Sequence, residues 1–296
     1  MRIACFLIAG RPAVGIDRGQ GYLDYGAILD ARGYGTDMKG VDPERRLVRL
    51  LRRGLLDDAF IQEQLEWATH SGYDYWLKSE GMTPLLPHRP SKIICLARNY
   101  SEHAKEGGGE VPEAPIFFVK TDNCAIGAGC PIRVPTDVGR VDHEGELGVV
   151  ISRRAQGVKA TDWENFVLGY TIVNDVTARE LQKSLGARGM PWFQAKSRDT
   201  FAPIGPIIVT REELPDLDSR RVRVTVNGEV RQNGLIADMV WKIPQLIEVI
   251  TAIVTLLPGD IISTGTPSGV GGIKPGDEVA VEINGIGTLR NPVEAA

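Results

Sequence analysis

The stretch VDHEGELGVVI, residues 141–151, sets Glu144 and Glu146 two positions apart at the head of an apolar run over residues 147–151. The run reads as a buried strand. Residues i and i+2 of a strand project to the same face, so both carboxylates point into one small region. Two like charges held there call for a cation. Mg²⁺, Mn²⁺ and Ca²⁺ prefer carboxylate oxygens, and same-face carboxylates suit adjacent coordination positions. A third acid, Asp175, ends another apolar run in GYTIVND and completes a candidate hard-cation site. On these residues alone a plain strand end, with one glutamate in solvent, stays open as the alternative. His143 alternates to the opposite side and reads as a structural residue.

Working outward, short apolar runs punctuated by Gly, Pro and Asn recur from residue 91 onward. KIICLA, PIFFVK, VLGYTIVND, GPIIVT, VRVTVNG, DIISTG and EVAVEI fit strands of about four to eight residues. RVRVTVNGEVRQNG predicts a hairpin with a type I′ turn at Asn227-Gly228. Helices are expected over 243–257 and from near Thr177. The fold class is therefore α+β, mostly β. The first 88 residues differ. RIACFLIA and RPAVGI read as strands, and residues 42–70 show helical spacing, with Pro43 after an Asp42 cap and Gly54 as a break. The proline-bearing connector GMTPLLPHRPSK suggests a boundary: a small N-terminal α+β domain over 1–88 and a catalytic unit over 89–296.

A chain of 296 residues with 43% hydrophobic content can bury a large core without disulfides or structural metal. Its net charge of −4 and lack of a long basic run argue against nucleic acid as partner. No apolar stretch is long enough to span a membrane, and the N-terminal run is too short for a signal peptide. Cytoplasm is expected. The four cysteines form no C-x-x-C pair and read as free thiols.

Two further clusters carry chemistry. In ARNYSEHAKEGGG, one helical turn brings His103 to Glu106. A carboxylate beside an imidazole fixes its tautomer and raises its basicity, as a general base requires. Gly107, Gly108 and Gly109 would let the segment open and close. The alternative is a surface pair ahead of a loop. In NDVTARELQ, a helix starting after Asp175 puts Arg179 and Gln182 on one face. Lys196, between Trp192-Phe193 and Phe201, reads as partly desolvated and able to neutralise a carboxylate or enolate oxygen. A snorkelling surface lysine is the alternative. The small-residue loop STGTPSGVGG, 263–272, suits close backbone approach to a ligand.

In order and spacing, LARNYSEHAKE, DHEGELGVVI, NDVTARELQ, WFQAKSRDTFAPIGP and LLPGDIISTGTPSGVG resemble the fumarylacetoacetate hydrolase family over about residues 90–292. The resemblance implies a β-rich sandwich roll, a homodimer, and an N-terminal extension such as residues 1–88. It places metal ligands on Glu144, Glu146 and Asp175, and a mobile catalytic pair on His103 and Glu106. Substrate-contacting positions fall on Arg98, Tyr100, Arg179, Gln182, Lys196 and Thr266. Ala97 stands where relatives often have glycine. Leu96 stands where the family's animal namesake has a further aspartate ligand, so a three-carboxylate site is expected.

The expected activity is hydrolysis of a C–C bond in a 2,4-dioxo acid, an acylpyruvate such as fumarylpyruvate or a 2,4-diketo-3-deoxy sugar acid. The cofactor would be Mg²⁺ or Mn²⁺, with Ca²⁺ also able to occupy the site. Oxaloacetate decarboxylation and 2-oxo acid isomerisation use the same enolate and stand as alternatives. A binding module that kept the fold is the non-enzymatic one.

Overall fold

In the computed structural model, which describes residues 1–34, 42–78, 82–106, 108, 110 and 112–296, the opening stretch forms the strand Gly145–Ile151 at the heart of a large sheet. Its strands run, side by side, Tyr22–Asp24, Arg11–Asp17, Arg2–Ile8, Ala202–Thr210, Val167–Asn174, Gly145–Ile151, Ile261–Ser263, Ile93–Ala97 and Ile116–Lys120. Alternation sorts the central strand's side chains to two faces. Leu147, Val149 and Ile151 join a core with Val222, Val224, Val279 and Val281 of a second, five-stranded sheet and with Leu246 and Ile250 of the helix Ile243–Ile253. Val150 faces the other way. It packs with Val173, Ile204 and Ile261 under Leu29, Leu47, Leu50 and Ile61 from the helices of the N-terminal region. The architecture is α+β and mostly β, as the sequence indicates.

The N-terminal strand Arg2–Ile8 pairs directly with Ala202–Thr210, through Arg2 opposite Val209 and Ile3 opposite Ile208. The sheet thus runs without a break across residue 88. Around it the expected local signals operate. The Asp42 side chain accepts from Glu44 N ahead of Pro43, and Gly54 adopts φ +69° between the helices Arg46–Arg52 and Asp58–His70. Asn227 (φ +52°) and Gly228 (φ +83°) turn the hairpin Arg221–Val226 to Glu229–Leu235.

Two helix expectations shift. The helix expected over 243–257 ends at Ile253, because Leu256 exchanges both backbone hydrogen bonds with Ala155, each 2.9 Å. The helix expected from Thr177 begins at Arg179, because Thr177–Ala178 pairs with Val141–His143. That small sheet also includes Gly271–Ile273. It draws together the head of the VDHEGE stretch, the start of the Arg179 helix and the end of the glycine-rich loop.

Candidate metal centre and pocket

The backbone of Glu144 is tied to the end of the neighbouring strand: its N–H donates to Asn174 Oδ1 at 3.0 Å, and its carbonyl accepts from Asp175 N at 2.8 Å. Glu144, Glu146 and Asp175, all buried, each bring one carboxylate oxygen within 4.8 Å of the others. That spread lies within reach of one hard cation, whose bonds to oxygen run from about 2.0 to 2.6 Å. Ser263 Oγ (2.6 Å) and Gly265 N (2.8 Å) both donate to Glu146 Oε2 and aim the carboxylate. Gly265 adopts φ +96° with Asn99 so close that a Cβ would lie 2.8 Å from that residue's Cβ. The glycine-rich loop therefore serves Glu146 here, with Gly265 close against Asn99 and Gly269 close against the Arg231 carbonyl.

Cations already surround the acids. Lys196 Nζ donates to Glu144 Oε2 at 2.7 Å and Asp175 Oδ2 at 2.5 Å, and Arg179 Nη2 pairs with Glu144 Oε1. Burial alone would raise the Glu144 pKa, but Lys196 and Arg179 outweigh it and hold the carboxyl below the ordinary range. Burial likewise disfavours the Lys196 ammonium, yet Asp175 and Glu144 keep it protonated well above the ordinary lysine range. Lys196 is thus a fixed positive charge, as its sequence context suggested. The aromatic ring it faces is that of Phe118, 4.7 Å from Nζ to centroid. Among the described residues Glu146 has no ion-pair partner. Its burial, then the adjacent Asp175 charge, push it far up.

Lys120 lies beneath the site, fully buried. Its ammonium donates to the carbonyls of Val176 (2.9 Å), Lys196 (2.6 Å) and Phe201 (2.6 Å). Nζ also lies 2.8 Å from Asp175 Oδ1, but its three protons are spent on carbonyls, and among the described residues Oδ1 receives no hydrogen bond. A buried carboxylate oxygen without a hydrogen-bond donor, beside a Glu146 that has no ion-pair partner among the described residues, is what a divalent cation would satisfy. The residues present fit such an ion.

A pocket of about 560 Å³ opens above these groups. His103, Glu106, Arg98, Arg179, Gln182, Lys196 and Thr266 all line it. His103 Nδ1 lies 3.4 Å from Glu106 Oε2, and the Glu106 carboxylate accepts from Gly269 N at 3.1 and 3.2 Å. Arg179 Nη1 donates to Gln182 Oε1 at 2.6 Å, the helix-face pairing expected from sequence. Arg98 holds φ +57°, while the next residue, Asn99, is locked to Trp241 and Thr264. Thr266 Oγ1 is committed to Gly145 O at 2.7 Å. Tyr100 stands apart: it is buried, absent from the pocket wall, and its hydroxyl finds no partner among the described residues. Of the expected hinge, Gly107 and Gly109 lie outside the described residues.

Three residues escaped the sequence reading. Asp142 has the same strand parity as Glu144 and Glu146, so the alternation argument already carried its signal. It is buried and accepts from Arg140 Nε (2.5 Å) and Arg179 Nε (2.8 Å). Gln232 pins Gly145 N and His143 Nδ1, each at 3.1 Å, while donating to Thr266 Oγ1 and Pro267 O. This turns His143 away from the acids, as alternation required, and burial lowers its pKa. Lys120 is the third.

Residues 92–294 match the model of the fumarylacetoacetate (FAA) hydrolase C-terminal domain. An uncharacterised Pyrococcus abyssi protein is 50% identical over 207 residues, which are 70% of this chain and 92% of that one. The oxaloacetate tautomerase YisK of Bacillus subtilis is 38% identical over 262 residues, 83% of this chain and 86% of its own. Among solved structures, the maleylpyruvate hydrolase of Sphingobium sp. SYK-6, in complex with manganese(II) and pyruvate, superposes with a TM-score of 0.77. It is 30% identical, and the match covers 100% of both chains.

Proposed function

The chain belongs to the fumarylacetoacetate hydrolase family, and from that membership we propose a divalent-metal-dependent enzyme that cleaves a C–C bond in a 2,4-dioxo acid by hydrolysis. The observation that carries the reading is the three-acid cluster with its donorless Asp175 oxygen, set at the base of a pocket whose wall holds the His103–Glu106 pair. Mg²⁺ or Mn²⁺ is the proposed cofactor, supported by the all-oxygen ligand set and by the manganese in the Sphingobium enzyme. Bound there, such an ion supplies Lewis-acid stabilisation of the charge that develops on a substrate's keto oxygen.

The chain's own residues supply the rest. Lys196, held protonated by Glu144 and Asp175, puts a second positive charge beside the developing enolate. Arg179 and Gln182 orient the substrate's carboxylate end. His103, its Nδ1 turned to Glu106, takes a proton from water as the oxygen attacks the acyl carbonyl. The bond between carbons 3 and 4 then breaks, its electron pair goes to the 2-oxo fragment, and a proton returned to carbon 3 completes pyruvate. The other product is the acyl carboxylate.

A second reading is keto–enol interconversion of oxaloacetate, favoured by the Bacillus subtilis relative of that name. It uses the same enolate and the same proton carrier without water attack. Assays on the Mn²⁺-loaded protein separate the two. Pyruvate released from acylpyruvates or 2,4-dioxo sugar acids supports hydrolysis. Decay of enol-oxaloacetate absorbance without such release supports tautomerisation, and CO₂ evolution from oxaloacetate marks decarboxylation. The melting temperature is expected to rise with Mn²⁺ or Mg²⁺ and further with oxalate, an enolate mimic. No rise with either would favour a binding module. A homodimer, which rests on the resemblance, and a cytoplasmic location, which rests on the unpaired cysteines, belong to the same proposal.

A further inference from the structure

We propose that Gln232 is a positioning residue whose buried amide holds the three-acid cluster and the His103–Glu106 pair in register; this rests on the metal-dependent reading given above. Gln232 is the only buried residue of the strand Glu229–Leu235, at the edge of the second, five-stranded sheet. Its partners fix which way the amide faces. The Gly145 N–H can only donate, at 3.1 Å, and the Pro267 carbonyl can only accept, at 2.7 Å, so Oε1 meets the first and Nε2 the second. The other lone pair of Oε1 takes His143 Nδ1 at 3.1 Å, which therefore carries the ring proton. The other Nε2 proton goes to Thr266 Oγ1 at 2.8 Å. Every hydrogen-bonding position of the amide is filled.

Gly145 lies between Glu144 and Glu146, and both of its backbone groups end in this arrangement. Thr266 Oγ1 accepts from Gln232 and donates onward to Gly145 O at 2.7 Å, while the Gly145 N–H returns to Gln232. A closed ring of hydrogen bonds thus fixes the peptide groups from which the two glutamates leave the strand.

The loop that supplies Thr266 also holds both halves of the site. Ser263 Oγ and Gly265 N aim Glu146, and Gly269 N holds the Glu106 carboxylate beside His103. The loop rests on the Gln232 strand at two places: a Cβ on Gly269 would run into the Arg231 carbonyl, and one on Gly234 into Pro267. Gln232 is the polar tie between these contacts. Slack there shifts the donors of Glu146 and the seat of Glu106 together, although Gln232 bonds to neither carboxylate.

Calorimetric Mn²⁺ titration and turnover at saturating Mn²⁺ test this. Gln232→Met keeps the side-chain length and removes the polar atoms. It should lose about tenfold or more in Mn²⁺ affinity, and turnover should stay about tenfold below wild type once Mn²⁺ saturates. Should that variant not fold, Thr266→Val opens the same ring from its other side, and a loss of about tenfold in Mn²⁺ affinity is expected. Asn291→Ala is the comparison. Asn291 is equally buried in the same sheet, donates to Gly127 O and Cys130 O at 2.9 Å each, and lines no part of the pocket. Its loss should lower the melting temperature and leave Mn²⁺ affinity and turnover as in the wild type. Unchanged affinity in Gln232→Met, or an equal loss in Asn291→Ala, overturns the assignment. Lost affinity with full turnover at saturating Mn²⁺ overturns the link to His103 and Glu106. A wild type that binds Mn²⁺ but turns over no dioxo acid sinks the hydrolase reading, and the affinity comparison still decides the role of Gln232. A wild type that takes up no Mn²⁺ sinks the metal reading and this proposal with it.

Discussion

His103 reaches the site from a short helix, Ser101–Glu106, and its imidazole is oriented by Glu106, which in turn rests on the Gly269 amide. Among the described residues no hydrogen bond or ion pair joins these groups to the three acids, so the proposed base and metal site can be tested separately. His103→Ala should lower turnover by about 10²–10⁴-fold while calorimetry shows nearly unchanged Mn²⁺ affinity. Equal losses in both would reject that division of labour. A second histidine acts on stability alone. His88 Nε2 donates to Gly259 O at 2.6 Å, and burial lowers its pKa from the ordinary 6.5 to about 4. Below pH 6.5 the unfolded chain takes up a proton that the native state refuses until about pH 4. Stability should therefore fall with pH across that window, by about 3 kcal/mol from this group. Urea midpoints at pH 5 and 7 should show a shallower pH slope in His88→Gln than in the wild type.

Among the elements, the helix Asp58–His70 carries a defect that sequence periodicity does not reveal. Gln64 lies on its core-facing side, fully buried, and neither amide atom has a partner among the described residues. Gln64→Leu should stabilise the protein by about 1–2 kcal/mol, read from the denaturation midpoint. The strands around Glu144 and Asp175 were legible because alternation and apolar runs are local signals, and the three acids sit where that reasoning placed them. The helix over 243–257 was overrun because its stop comes from Ala155, about a hundred residues away in sequence. Gln232 and Lys120 were illegible for a related reason. Each looks like an ordinary strand residue, and what makes it matter is a loop or a set of carbonyls contributed from elsewhere. Tyr100 reads as a contact residue by resemblance, yet its backbone bridge to Met239 leaves the ring in the core.

At the scale of the molecule, the N-terminal region covers one face of the sheet that holds the three-acid cluster at its end. A boundary near residue 88 remains our proposal for how the chain divides, supported by the family match beginning at residue 92. Residues 89–296 alone would uncover Val150, Val173, Ile204 and Ile261 and leave Ala202–Thr210 at a sheet edge. That fragment should fold with a lower melting temperature than the full chain and bind a hydrophobic dye that the full chain excludes. The pairing of Arg2 with Val209 also sets a schedule for synthesis. At about 5–20 residues per second, the first strand leaves the ribosome on the order of 10–40 s before its partner exists. During that interval a chaperone has an apolar ribbon to hold, and nascent chains halted before residue 202 should be cut there by protease while completed ones resist.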